Sequence, residues 1–253
     1  MATDLLALSH AVLHGEDGFA KRHPMSASNE LCGVGDRTAM VESFANVAAF
    51  ATGDGLVLVD TGSAFTAGAI HEAVRGWTAE AFDTAVYTHG HVDHVFGTPV
   101  FDAENAELGR PRAKVLAHEE VDPRFDRYIA TAGYNGVVNQ RQFQLPAFQW
   151  PTDYRRPDVT YRDHLDVTVG DTRFELHHAR GETDDATWVW VPDRKVVCPG
   201  DLVIWCAPNA GNPQKVQRFA KDWAVALRAM ADLGAELLLP GHGLPVAGAD
   251  DVA

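Results

Sequence analysis

An α/β domain of stacked layers is the fold class this sequence predicts, on three observations. A strand, a helix and a strand follow one another between Asn46 and Thr88, the order of a βαβ unit. Paired turn signals make the stretch from Leu165 to Cys198 rich in strands. A long amphipathic pattern then separates that stretch from one last short strand.

Taken in order, the first hairpin consists of two apolar runs, Asn46 to Ala51 and Leu56 to Val59, parted by Thr52-Gly53-Asp54-Gly55. Its second strand ends at Asp60. Ala64 to Trp77 reads as a helix with Ile70, Val74 and Trp77 on one face, and Thr84 to Thr88 as the strand that delivers the chain to His89. Lys114 to Ala117 is a further strand. Between Pro123 and Gly136, and on through a Gln-, Phe-, Pro- and Trp-rich stretch to Arg156, no period emerges, so this middle segment reads as a substrate-facing insertion. Leu165 to Val169 and Arg173 to His177 flank Gly170-Asp171, while Thr187 to Val191 and Lys195 to Cys198 flank Pro192-Asp193, giving a second and a third hairpin. Trp188 and Trp190, two apart on one strand, face the same side and belong to the core. From Val216 onward Phe219, Trp223, Leu227, Met230 and Leu233 recur at helical spacing, with Gly234 as the residue that ends the helix. Leu237 to Leu239 is the last strand and runs into Pro240-Gly241-His242-Gly243. No repeat or linker divides the chain, so residues 1–253 read as one domain.

Charge and cysteine usage narrow the function. Acidic residues outnumber basic ones by 35 to 21, and no Lys/Arg-rich stretch offers a phosphate track, which argues against a nucleic-acid partner. Cys32, Cys198 and Cys206 are odd in number and lack C-x-x-C spacing, so they read as buried thiols in a reducing compartment rather than as a disulfide framework or zinc ribbon. Met1 to Gly18 has neither the basic start nor the continuous apolar stretch of a signal peptide. No run of about 18 apolar residues is present to span a bilayer. The expected location is the cytoplasm, with no membrane partner.

The chemistry is concentrated in Thr88-His89-Gly90-His91-Val92-Asp93-His94. Three imidazoles and a carboxylate within six residues are costly to bury without partners, and together they are the ordinary ligand set for zinc and similar divalent ions. On a loop after a strand, His89 and His91 can point one way and Asp93 and His94 another, which suits two adjacent metals.

The segment resembles the H-x-H-x-D-H signature of the metallo-β-lactamase superfamily, and further marks of that family follow in its usual order. Val59-Asp60-Thr61-Gly62, Gly181-Glu182-Thr183, Gly200-Asp201 and Pro240-Gly241-His242-Gly243 resemble its other motifs. The resemblance implies an αββα sandwich in which His89, His91 and Glu182 hold one metal, Asp93, His94 and His242 hold the other, and Asp201 bridges them. It also implies that a water between the two ions is activated to hydroxide, with the catalytic work on Asp93. Asp60 would support it by accepting a hydrogen bond from a ligand imidazole.

Glu182 stands where β-lactamases and glyoxalase-II-like enzymes carry histidine, and in this it is similar to the alkylsulfatase branch. Asp201 departs from that branch, whose bridging residue is commonly glutamate. The resemblance therefore implies a sulfate-ester hydrolase, with a carboxylic ester, lactone or thioester hydrolase as the alternative on the same fold and a non-catalytic metal-binding protein as the alternative of another class. Two divalent ions are implied as cofactors, zinc by first choice, with manganese and iron open because three ligands are carboxylates. Those carboxylates offset the two ions and a hydroxide, leaving the filled site neutral, so an anionic substrate needs a nearby arginine. Arg141, Arg155, Arg156 and Arg180 are the candidates. His118, His177 and His178 lie at strand ends and read as structural or supporting. Alkylsulfatase-like proteins continue after the last histidine motif into a helical dimerisation domain, whereas about ten residues follow Gly243 here. The expectation is either a shortened relative without that domain or a fragment of a longer protein, with a homodimer left open.

Overall fold

The computed structural model describes residues 4–16, 23, 26–206 and 218–253. Its first sheet runs in the order β1 (Glu30–Gly35), β2 (Thr38–Glu42), β3 (Val47–Ala51), β4 (Leu56–Val59), β5 (Phe82–Val86), β6 (Lys114–His118) and β7 (Val159–Tyr161). The first four strands pair antiparallel and the last four parallel. The second sheet contains β8 (His164–Val169), β9 (Thr172–Ala179), β10 (Ala186–Val191), β11 (Val196–Ile204), β12 (Leu237–His242) and β13 (Val246–Ala247), in the spatial order β13-β12-β11-β10-β9-β8. Helices α1 (Leu5–Leu13), α2 (Ala67–Trp77), α3 (Val92–Val95), α4 (Thr98–Glu107), α5 (Val121–Ala130), α6 (Ala132–Gln142), α7 (Ala220–Ala231) and α8 (Ala249–Val252) complete the fold.

Three apolar layers hold the two sheets and their helices together. Between the sheets, Met40, Phe50, Val57, Val59 and Val86 meet Phe174, Leu176, Val189, Val191 and Leu239. On the outer side of the first sheet, Leu58, Ala85 and Val115 pack against Ile70 and Val74 of α2, Phe101 of α4 and Phe125 of α5. On the outer side of the second, Trp188, Trp190 and Val197 pack against Trp223 and Met230 of α7. The result is the αββα sandwich. Because β4 and β10 are buried on both faces, their sequences are continuous apolar runs rather than alternations. Truncating a fully buried Phe such as Phe174 costs about 3–5 kcal/mol.

The three expected hairpins and the strand after Asp83 are present. Ala64 to Phe65 is not helical, because Ser63 and Thr66 bond to one another across a turn and α2 starts at Ala67. The segment without period is helical over most of α5 and all of α6. Arg124 lies buried on the same face as Val121 and Phe125, which hides the apolar spacing of α5, and α6 carries two glycines and is largely exposed. The last helix spans Ala220 to Ala231, and Val216 falls outside the described residues. Leu227 is exposed rather than buried on it. Of the three free cysteines only Cys198 is buried, Cys32 and Cys206 being half-buried, which corrects the expectation for those two. Among the described residues no helix is long and apolar enough to cross a membrane.

Candidate metal centre

The loops that leave the carboxyl ends of β4, β5, β9 and β12, together with β11, converge at one end of the sandwich. Asp60 follows β4 with φ at 59°, in the left-handed region where aspartate and asparagine are the best tolerated residues after glycine. One of its oxygens accepts from the Thr88 backbone N–H at 2.8 Å, and the other accepts from the Thr88 hydroxyl at 2.7 Å and from His94 Nδ1 at 2.7 Å. With its own proton on Asp60, the Thr88 oxygen accepts from His89 Nδ1 at 3.1 Å. Asp60 therefore orients His94 directly and His89 through Thr88. His242 is turned the same way, its Nδ1 donating to the Phe44 carbonyl. In the neutral form of all three rings the outer nitrogen carries the proton, so that each Nε2 has its lone pair inward for a cation.

The chain turns abruptly within this segment. His91 caps the single turn of α3, so His89 and His91 precede the turn while Asp93 and His94 lie within it. His89, His91, Glu182 and Asp201 form one group of donor atoms, and Asp93, His94 and His242 form another, the atoms of each lying within 4.8 Å of one another. Asp201 reaches both groups. Its Oδ2 is 3.7 Å from His89 Nε2, and its Oδ1 is 3.4 Å from both His94 Nε2 and His242 Nε2. Asp93 Oδ2 lies 3.6 Å from His94 Nε2 and 3.5 Å from His242 Nε2. Glu182 Oε2 is 3.8 Å from His91 Nδ1, which in turn lies 2.8 Å from His89 Nε2, a spacing at which two imidazole nitrogens share a proton or a cation. Two glycines make room for Asp201 and Thr88. A Cβ on Gly241 would fall 2.3 Å from its Oδ1, and Gly200, at φ 54°, would meet Thr88 at 2.6 Å.

The electrostatics fit cations. Burial by itself would lower the pKa of His94, but Asp201, Asp60 and Asp93 together hold it well above the ordinary value. Burial likewise disfavours the charged form of Asp201, yet His242, His94 and His89 keep it well below the usual carboxylate range. Glu182 goes the other way, pushed up to about 7 by burial and by the neighbouring Asp201, with Arg218 opposing. His91 is lowered to about 4 by burial, reinforced by Arg124. Among the described residues, His94 Nε2 and Asp201 Oδ1 are buried with no hydrogen-bond partner. Buried polar atoms in that condition are expensive unless an ion or water satisfies them, and an imidazole and carboxylate donor set of this composition suits divalent metals.

Several surrounding residues have no signal in the sequence. Arg218 pairs with Glu182 Oε1, leaving Oε2 to face His91. Arg124 donates to Asp185 at 2.6 Å and also pairs with Asp184, and the same Asp185 oxygen accepts the Gly90 N–H at 3.0 Å. This buried pair joins α5 to the His89–His91 loop and to the loop after Glu182. The expected arginines are elsewhere. Arg155 is bound to Asp102 and Asp158, Arg156 to Asp122 and Asp126, Arg180 to Asp222, and Arg141 is exposed in the last turn of α6.

Aromatic rings surround the cluster. Phe44 sits edge-on to His242 and beside Phe143, while Tyr128 lies 6.3 Å from His91 and leads through Trp150 and Phe148 to Phe65. Phe44, Phe65 and Phe143 are exposed.

Residues 41–242 match the family model described as Metallo-beta-lactamase superfamily. The linear primary-alkylsulfatase of Pseudomonas sp. (strain ATCC 19151) is 24% identical over 224 residues, covering 79% of this chain and 41% of the relative. The solved stereoselective inverting sec-alkylsulfatase Pisa1 from Pseudomonas sp. superposes with a TM-score of 0.74 at 22% identity, over 88% of this chain and 40% of that one. The subclass B3 metallo-β-lactamase BJP-1 of Bradyrhizobium japonicum superposes with a TM-score of 0.61 at 21% identity, over 87% and 80%. The chain thus spans about 40% of the length of these alkylsulfatases.

Proposed function

The chain belongs to the metallo-β-lactamase superfamily and is a metal-dependent hydrolase, and from this premise we propose that it binds two divalent ions and hydrolyses a sulfate ester carried on an apolar tail. In this reading His89, His91 and Glu182 hold one ion, Asp93, His94 and His242 the other, and Asp201 both. Bound there, the ions, zinc by first choice and manganese or iron otherwise, supply Lewis acidity and bring a water's pKa toward about 7. Asp93 stands against both His94 and His242, and Asp60 keeps the imidazoles in the tautomer that presents Nε2 inward.

The observation that carries the reading is Glu182, in place of a histidine, with one oxygen toward His91 and the other on Arg218. The third-motif carboxylate lowers the charge of the filled site, and Arg218 returns a positive group beside it. An anionic ester head is served by that arginine, and a long apolar tail by the exposed rings of Phe44 and Phe143 next to His242. The similarity to proteins described as alkylsulfatases supports the same substrate class.

The test is release of inorganic sulfate from primary and secondary alkyl sulfates by the purified, metal-loaded chain, beside a lactone and a thioester panel. Sulfate release that disappears on chelation, and in a folded Asp93→Ala variant, is the expected result. Turnover of lactones or thioesters without sulfate release would move the protein to carboxyl chemistry, and full activity of metal-loaded Asp93→Ala would overturn the mechanism.

A further inference from the structure

A second set of metal-ligating side chains lies on the outer face of the β8–β9 hairpin and shares no residue with the centre described above. His164 and His177 are directly opposed across the two antiparallel strands, and their rings lie 4.6 Å apart. Glu175, two residues before His177, projects from the same face, and one donor atom from each of the three lies within 4.8 Å of the others. Cross-strand opposition brings side chains this close without any loop having to fold, so the grouping is set by the register of the hairpin.

We propose that His164, Glu175 and His177 bind a divalent first-row cation of the zinc type. His177 is already oriented for it. Its ring stacks on Trp188 at 4.0 Å and an interplanar angle of 12°, and its Nε2 is buried with no hydrogen-bond partner among the described residues, with Glu175 Oε2 standing 3.6 Å away. That gap is too long for a hydrogen bond and suits two donors on a common ion. Arg173 orients the carboxylates from behind, its guanidinium 3.2 Å from Glu175 Oε1 and 3.0 Å from Asp166 Oδ2. The other oxygen of each carboxylate is thereby turned to a histidine, Asp166 Oδ1 lying 3.1 Å from His164 Nε2. Two imidazoles with a carboxylate are a zinc-type donor set, and a neighbouring carboxylate that fixes a ligand ring is its usual support. The cation would clamp edge strand β8 to β9.

Equilibrium dialysis of the full chain against zinc near neutral pH, with zinc counted per chain, tests the site. Wild type is expected to retain one more zinc than either His164→Ala or Glu175→Gln. The comparison is between chains that all keep the His89–His242 centre and the His10, His14 and Asp251 group, so uptake at those places cancels, and a failure of the two-ion reading would not affect it. Equal zinc content in the three chains overturns the proposal. Should a variant not fold, wild type alone decides: zinc is expected to slow modification of His164 by diethyl pyrocarbonate, and an unchanged rate overturns the site.

Discussion

Replacing Asp60 by Asn separates its role as a hydrogen-bond acceptor from its role in the backbone. At φ 59° a residue such as alanine would add strain, whereas asparagine tolerates the left-handed region as aspartate does. The amide oxygen must stay on the Thr88 N–H, which can only donate, so the new NH2 group takes the place of the oxygen now facing His94 Nδ1. A donor there forces the His94 proton onto Nε2, the atom that faces Asp93, Asp201 and His242. Losing a support of this kind costs about 10–100-fold in metal affinity, or about 1.4–2.7 kcal/mol. Titration of chelator-stripped protein against a chromophoric zinc chelator is expected to show the ion of the Asp93, His94 and His242 group weakened by that factor, with the thermal midpoint of the stripped protein little changed. If Asp60→Asn binds both ions as tightly as wild type, the tautomer argument is wrong.

Three further outcomes follow from the same geometry. Arg124→Met leaves Asp185 buried without its cation, so unfolding stability is expected to fall by about 3–5 kcal/mol. The thermal midpoint of a chain this size falls with it by roughly 6–10 °C, and a loss under about 1 kcal/mol would show that the pair is not structural. Because Glu182 is raised to about 7 and His94 lies well above its ordinary value, the stripped chain holds protons there that metal must displace. Zinc affinity should therefore rise with pH through about 7, and on above it until His94 too is neutral, by as much as about tenfold per unit for each proton displaced; calorimetry in buffers of unlike ionisation heat measures the release, and none near pH ~6 would contradict it. For alkyl sulfates, kcat/KM should climb with chain length by up to about fourfold per methylene, near 0.8 kcal/mol, and Phe44→Ala with Phe143→Ala should flatten that slope.

The parts of the fold legible in the sequence are those whose signal is local. Thr52-Gly53-Asp54-Gly55 and Gly170-Asp171 mark hairpins because a tight turn needs those residues whatever packs around it. α1, β1, β2 and α4 went unread. β2 is buried throughout and carries no alternation, and α1 buries only Leu5 and Ser9 of its nine residues, so neither has the period a strand or helix of ordinary exposure shows. His89, His91, Asp93 and His94 were legible because their residue types are costly unless used together, Glu182, Asp201 and His242 only through the family resemblance, and the structure brings all seven into two adjoining groups. Arg218 and Arg124 were not. An arginine's role depends on which carboxylate the fold sets against it, and nothing in its neighbours along the chain distinguishes Arg124 from Arg155 or Arg156.

An arginine is bound to the very residue that lowers the charge of the centre. A glutamate at position 182 takes one unit of positive charge from the centre compared with a histidine, and Arg218, with its side chain only 9% exposed, sits on that same carboxylate. Little water screens a cation so placed, and a unit charge at about 4 Å with an effective dielectric near about 20 is worth about 4 kcal/mol before desolvation is counted. Arg218 thus does two things that pull against each other: it stabilises the ionised form of Glu182, which a metal requires, and it competes with that metal for the carboxylate's electrons. The geometry resolves the conflict by dividing the oxygens, Oε1 to Arg218 and Oε2 to the histidine side.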